Sequence, residues 1–420
     1  MKRLAVIGSG IAGLSAAFYL SRAYEVVVFE RDTRIGGHTH TVVVDSAAGP
    51  VPVDTGFIVH NSRTYPRFCR LMDELGVDTQ PSDMSFGVST PDGDFEYSSR
   101  GLGGFFAQRR NLASLRHHQL LLDIIRFNRA APAVLDDPTR RQWTLGDFLE
   151  HGRYSAVFEE RYLIPMAGAI WSMSPTAMRG FPVVTLVRFM HHHGMLGLTT
   201  HPQWRVIRGG SHTYLAPLTA PFRDRILTGV TITSVSRSAD GVTLRCAGRA
   251  DEHFDEVVFA CHGDQILPLL ERPTDSEREI LSSFQTTRNE VCLHTDTSLL
   301  PRRESARASW NYRLGDRHAV AVTYHMNRLQ SLTTPEDYCV TLNGGDAIDP
   351  ATVLRRLTYA HPLYTHAAIR AQERWSEISG RHHTHFCGAY WFYGFHEDGV
   401  RSGRRVADAL GVSDPDGVAT

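Results

Sequence analysis

The sequence predicts an α/β fold: a mostly parallel sheet flanked by helices, with a second domain of mixed α+β character inserted into it. Three observations carry that expectation. An apolar run at residues 3–7 (RLAVI) leads through a glycine-rich turn into a small-residue helix, and a second run at 25–30 (EVVVFE) completes a βαβ unit. A third buried-type run, EVVFA at 256–260, recurs in the middle of the chain, and helical segments separate these pieces. At 420 residues the chain exceeds one ordinary core, which favours two domains.

In chain order, residues 41–44 and 51–53 read as a strand pair around the turn Ala47-Ala48-Gly49-Pro50. Residues 105–129 carry a helical period, with Leu112, Leu115, Leu120, Leu122, Ile125 and Phe127 among arginines and histidines. Residues 154–170 look helical, interrupted at Pro165. Alternation over 226–246 around Asp240-Gly241 reads as a hairpin, and 400–410 as a closing helix. The expected division is a discontinuous cofactor domain from 1–85, 204–290 and 376–420. The substrate domain would take 86–203 and 291–375.

Composition narrows the function. With 42% hydrophobic residues and a formal net charge of −1, the chain is globular and nothing marks it for nucleic acid. The single lysine, Lys2, leaves no internal amine for a Schiff base or for holding a water. Six cysteines without a CxxC pair argue against a metal site or a disulfide framework. The opening residues superficially resemble a signal peptide, yet read better as a strand and glycine turn. No apolar run of about 18 residues suggests a membrane span, so a cytoplasmic protein is expected.

Gly8, Gly10 and Gly13 form a GxGxxG set after a strand and at the start of a helix. The first glycine makes the turn, the second admits a pyrophosphate and the third lets helix and strand approach. Ile11 and Ala12 would offer helix N–H groups to phosphate. Glu30 closes the next strand, where a carboxylate accepts from ribose hydroxyls. These residues specify a Rossmann-type dinucleotide site. Arg34, Gly36, Gly37, His38 and Thr39 (RxGGHT) then resemble the RxGGR-type motif of the amine oxidase and phytoene desaturase superfamily, whose cofactor is FAD. His38 departs from the usual arginine. Asp54-Thr55-Gly56 resembles the acidic–glycine segment of that superfamily. Cys387-Gly388-Ala389-Tyr390 with Gly394 to Val400 resembles its closing flavin motif. The expected FAD contacts are completed by Arg31, Phe57, Val230, Gly388, Glu397, Asp398, Gly399 and Val400. A helix starting near Asp398 would aim its positive end at the flavin.

A narrower resemblance rests on DTGFIVHN (54–61), TYPRF (64–68), SDMSF (82–86), WRVIRGGSHTYL (204–215), FACHGDQIL (259–267), TYHMNRLQ (323–330) and GFHEDG. These segments are similar to a bacterial subfamily encoded near cyclopropane-fatty-acid-synthase-like methyltransferases. That resemblance implies desaturation or double-bond rearrangement of a fatty-acyl or other lipid-like substrate. It also implies contact with a lipid methyltransferase, while the basic helix over 105–129 reads as an exposed lid or packing helix, with contact to anionic membrane lipid as the alternative. Candidate bases are His396, His193 and His325, whose ordinary pKa suits proton transfer near neutrality. Tyr65, Trp171, Tyr324, Trp391 and Tyr393, with Phe57 and Phe392, are candidate walls of an acyl tunnel. The run His191-His192-His193 has no metal-ligand spacing. An amine or amino-acid oxidase, and a non-catalytic flavin-binding partner of a methyltransferase, stay open.

Overall fold

The computed structural model describes residues 1–47, 49–197, 202–315 and 321–412. Ala48 of the expected turn and residues 413–420 of the expected closing segment lie outside the described residues. Five parallel strands stand in the order Ile226–Leu227, Glu25–Phe29, Arg3–Ile7, Glu256–Phe259, Thr384–Phe386. Leu4 to Ile7 are buried on both faces, which explains the unbroken apolar run at the centre of the sheet. Leu4 and Val6 pack against the first helix, Ile11–Leu20, and the last, His396–Ala409. Ala5 and Ile7 face an antiparallel three-stranded sheet, Ile232–Ser238, Gly241–Cys246 and Glu252–Phe254. The strands of the parallel sheet thus come from three separated stretches of chain, 3–29, 226–259 and 384–386.

A second sheet of seven strands runs Val353–Leu363, Gln285–His294, Cys339–Leu342, Val322–His325, Trp310–Arg313, Phe86–Ser89, Glu96–Ser98. Helices from residues 115–192 pack with it around one large core. The strand Gln285–His294 belongs wholly to this sheet, so an expected boundary at 290 cuts through one continuous strand.

Two helical expectations are refined. The period over 105–129 is divided into Gly101–Phe105, a turn at Arg109–Ala113 and the helix Leu115–Ala130. Ser114 starts that last helix by accepting a hydrogen bond from the His117 N–H. Pro165 does not break its helix. A wide turn at Glu159–Leu163 precedes it, between Ala156–Phe158 and Ile164–Trp171, in the manner of a π-bulge. Among the described residues, no helix is long and apolar enough to cross a membrane.

Candidate active site

The glycine turn is shaped for a ligand with phosphates. Gly8 holds φ at +108°, open to glycine, and its N–H donates to the Phe29 carbonyl at 2.8 Å. A Cβ on Gly13 would lie 2.0 Å from the Gly8 carbonyl oxygen, so helix and turn approach too closely for any side chain. A Cβ on Gly10 meets no protein atom within 4 Å. Space therefore lies before the helix Ile11–Leu20, whose start carries no side-chain cap. Beside it, Glu30 accepts hydrogen bonds from the Ser9 N–H at 2.9 Å and the Ser9 hydroxyl at 2.5 Å. Its other oxygen accepts from the Asp32 N–H at 2.9 Å, while Arg31 is exposed. The Val230 N–H donates to the Glu30 carbonyl at 2.9 Å, bringing a buried apolar side chain to this end.

The RxGGHT segment lies on that turn. Arg34 donates to the Gly37 carbonyl at 2.7 Å and curls the loop around its own guanidinium. The Gly36 N–H donates to the Ser9 carbonyl at 2.9 Å, and a Cβ on Gly37 would sit 3.1 Å from the Gly10 Cα. The Phe57 N–H donates to the His38 carbonyl at 2.8 Å, and Gly56 passes so close to that carbonyl that a Cβ would lie 2.2 Å from it. The closing helix docks on the same loop: His396 Nε2 is 3.0 Å from Thr39 Oγ1, which also contacts the Tyr214 hydroxyl. Gly399 abuts Ile11, where a Cβ would meet Cγ2 at 2.5 Å. Turn, loop and closing helix therefore converge.

Against the closing helix lies a buried aromatic cluster. Phe189 stacks on Phe395 at 5.0 Å between centroids and lies edge-on to Trp171 at 4.8 Å. Tyr393 approaches Phe189 at 6.1 Å, and its carbonyl accepts from the Trp171 indole at 3.3 Å. His193 stacks on Phe189 at 3.7 Å and reaches Tyr65 and Trp204. Tyr364 closes on Trp171 and Phe181. Of the expected wall residues, the structure brings Tyr65, Trp171 and Tyr393 together.

A family model described as flavin containing amine oxidoreductase matches residues 11–411. The chain belongs to this family. FAD is its cofactor, and the residues present fit that group. Gly10 leaves room for the pyrophosphate, Glu30 offers a carboxylate to a ribose, and the buried His38 Nε2 has no partner among the described residues. The protein is an FAD-dependent oxidoreductase of the amine oxidase family. It is similar in fold to a redesigned putrescine oxidase, with 15% identity, 98% of this chain and 99% of that one covered, and a TM-score of 0.72. A CLA-producing fatty acid isomerase from P. acnes aligns with 17% identity, 97% and 98% coverage, and a TM-score of 0.68. Cyclohexylamine oxidase from Brevibacterium oxydans gives 16% identity, 98% coverage of both chains and a TM-score of 0.66. A curated protoporphyrinogen oxidase of Arabidopsis thaliana is 36% identical over 77 residues, which are 18% of this chain and 14% of that protein.

The candidate base His396 is buried in this amine oxidoreductase site. Its ring stacks on Phe57 at 3.5 Å and 12°, and burial, aided by His60, depresses its pKa to about 3. It is a neutral ring that joins the closing helix to the FAD loop. His193 donates its Nδ1–H to its own helix, 2.8 Å from the Phe189 carbonyl oxygen, and burial lowers its pKa to about 4. It joins the cluster as a neutral ring. His325 sits apart on the seven-stranded sheet, its Nε2 2.9 Å from Asp337. Glu397 accepts from the Phe68 N–H at 2.9 Å and from Arg67, capping the helix Pro66–Glu74. Asp398 caps its own helix by accepting from the Phe395 N–H at 3.0 Å, and burial raises its pKa to about 7. Those carboxylates are engaged in holding helix ends, and Val400 lies in the core.

Trp391 belongs to the other core. It packs edge-on to Phe284 at 4.7 Å and beside Tyr390, under the parallel sheet. Tyr324 packs on Trp310 of the neighbouring strand at 4.9 Å, and Phe392 lies under Arg401 and Arg405. Gly388 holds φ at +155° and donates its N–H to the Ser402 hydroxyl at 2.9 Å, anchoring the segment before the closing helix.

Two residues of the sequence motifs, Asp54 and His38, sit in networks of neighbouring side chains. Asp54 is buried and accepts from the Ser211 N–H at 2.9 Å, the Ser211 and Thr41 hydroxyls, and the Gln330 amide at 3.2 Å. Burial still outweighs those bonds and raises its pKa to about 6. His38 is ringed by Tyr359 at 5.1 Å, His361 at 5.3 Å and His262 at 5.9 Å, and burial holds it neutral. His262 and Phe395 lie inside motifs visible in the sequence. Phe189, Tyr359, His361 and Tyr364 carry no local signal.

Proposed function

We propose that this oxidoreductase desaturates, or shifts the double bonds of, an unsaturated fatty-acyl or other lipid-like substrate. The observation that supports it is the buried aromatic cluster against the closing helix, formed by Trp171, Phe189, Tyr364, Tyr393 and Phe395. Its nearest carboxylates, Glu397 and Asp398, are bound to helix N–H groups rather than presented to a ligand. Lys2 is the sole lysine and stands at the chain start, so no ammonium serves the cluster. When bound, FAD supplies a hydride acceptor at the flavin ring. The chain supplies the rest: aromatic walls exclude water and hold an apolar chain in register. The buried tyrosines stay protonated, because burial raises Tyr65 and Tyr364 far above the ordinary phenol value. A fatty acid isomerase among the proteins of similar fold supports this reading.

A second reading, an amine oxidase, has one observation in its favour. Asp398 is a buried carboxyl among Tyr65, Tyr364 and Tyr393, where an ammonium would find both charge and aromatic faces. Mass spectrometry of lipids from cells with and without the protein tests the first reading, which expects shifted or extra acyl double bonds. Unchanged lipids together with consumed amines would favour the second. Inertness towards both would favour a flavin-binding partner of a lipid methyltransferase.

A further inference from the structure

Seven large apolar side chains are strongly exposed among the described residues, and four of them fall between residues 102 and 122. Leu102 is 74% exposed, Leu112 59%, Leu115 86% and Leu122 61%. The helix Leu115–Ala130 explains the pattern. Its inner stripe, His117, Leu120, Ile124 and Phe127, is buried, with Phe127 against Phe148, Tyr154 and Phe158. Leu115, His118, Leu122 and Arg129 recur on the opposite side at i, i+3, i+7 and i+14, facing solvent. A surface helix normally carries one apolar stripe, and this one adds two leucines, Leu115 and Leu122, on its outer face. The His118 ring is 2.8 Å from the Leu112 carbonyl, which fixes the turn bearing Leu112 beside the leucines of the helix.

Charge accompanies those leucines. Residues 101–130 hold five arginines, Arg109, Arg110, Arg116, Arg126 and Arg129, all exposed. Asp123 is their sole acidic residue; it is buried and bonded to Arg126 and Ser155. Arg110 reaches Asp94 at 3.6 Å, whereas Arg109, Arg116 and Arg129 have no carboxylate partner among the described residues. Protruding leucines set among unneutralised guanidiniums complement an interface with an apolar interior and an anionic rim. We infer that the face built by residues 102–129 seats the protein on a bilayer surface rich in anionic headgroups. The leucines enter the acyl boundary, and the arginines stay at headgroup level. This inference rests on the surface alone and not on the substrate reading above.

Vesicle sedimentation of the FAD-loaded protein tests it. Vesicles containing about one third phosphatidylglycerol, the rest phosphatidylcholine, should retain the protein at low salt, and pure phosphatidylcholine should retain much less. Replacing Leu102, Leu112, Leu115 and Leu122 by Ser should weaken retention at least ~10-fold at any salt. FAD content and melting temperature should hold, because all four side chains are exposed. Arg109→Gln with Arg116→Gln and Arg129→Gln should remove the salt-sensitive part of binding and leave a leucine-dependent remainder. Retention equal for the leucine variant and the wild type would overturn the inference. So would a dimer that the leucine variant dissolves in a protein that ignores both vesicles. Loss of acyl chemistry with vesicle binding intact would overturn the functional reading and leave this one standing.

Discussion

At the cofactor end, three segments at residues 8–13, 34–39 and 396–399 meet through backbone and glycine: Gly37 on Gly10, Gly399 on Ile11, the Gly36 N–H on Ser9. At the aromatic end, Tyr65, Trp171, Phe189, Tyr364 and Tyr393 come from five distant stretches and meet through rings. The contrast teaches where generality and choice reside. Backbone contacts around a pyrophosphate tolerate little change whatever is oxidised, because space and N–H donors are what they supply. Ring contacts can be exchanged for others of similar volume, so the proposed function puts substrate choice there.

The largest effect should come from breaking the cofactor end. Gly10→Val would fill the space that its missing Cβ leaves open, and bound FAD should fall to a few percent or less of wild type, ~1% being the scale expected. The flavin-to-protein absorbance ratio of purified protein reads this. Folding should persist by circular dichroism, since no protein atom is displaced at the Cβ. Full FAD content in this variant would show that the turn is not the phosphate cradle.

A sharper cut uses two residues almost adjacent in sequence. Trp391→Ala removes a ring buried beneath the parallel sheet and should cost about 3–5 kcal/mol of stability, with FAD lost alongside. Tyr393→Ala opens the cluster and should keep FAD while turnover per flavin falls. Denaturant melts and flavin stoichiometry separate the two. Identical behaviour would erase the proposed border between the cores.

His396→Ala comes next. Its ring ties Thr39 and Phe57 to the closing helix, so FAD occupancy and melting temperature should fall together. Turnover per bound FAD should change less than the ~100-fold minimum expected on losing a true general base. Rapid-mixing rates normalised to flavin decide this, and a loss of 100-fold or more at full occupancy would restore His396 as a base.

The smallest effect is a pH dependence. His60, His193, His294 and His361 are depressed by burial to about 4 and His396 to about 3. A depressed histidine adds stability above its unfolded value near 6.5 and loses it as pH falls towards the folded value. Asp54 and Asp398, raised to about 6 and about 7, act in the opposite sense and gain stability over a similar interval. The histidines outnumber them, so the melting temperature should decline from pH 6.5 to 4. His361→Asn should flatten that decline. A melting temperature that rises on acidification would mean the two carboxyls dominate.

Much of the cofactor end was legible because its chemistry is local. A turn needs glycine at fixed offsets, and the strand, glycines, helix and Glu30 all lie within 30 consecutive residues. The aromatic cluster was legible only where a residue sat beside such a motif, as Tyr393 does. Phe189 and Tyr364 reach it through helix packing and sheet position, which no short spacing encodes. Trp391 misled for the related reason that the residues around Phe392 turn the chain, sending neighbours into different cores. The carboxylates of Glu397 and Asp398 looked available until the structure showed which helix ends they cap. Burial, likewise invisible in sequence, lowers the pKa of His396, the expected base, to about 3.

The central claim is that a general flavin-binding end has been joined to an aromatic cluster that handles unsaturated acyl chains. Incubating the purified, FAD-loaded protein anaerobically with an unsaturated fatty acid, and in parallel with a diamine, tests it most directly. Flavin absorbance and mass spectrometry of the products give the readout. The account predicts an acyl product with a moved or added double bond, and no bleaching of the flavin by the diamine. Rapid flavin reduction by the diamine, with the fatty acid recovered unchanged, would contradict it.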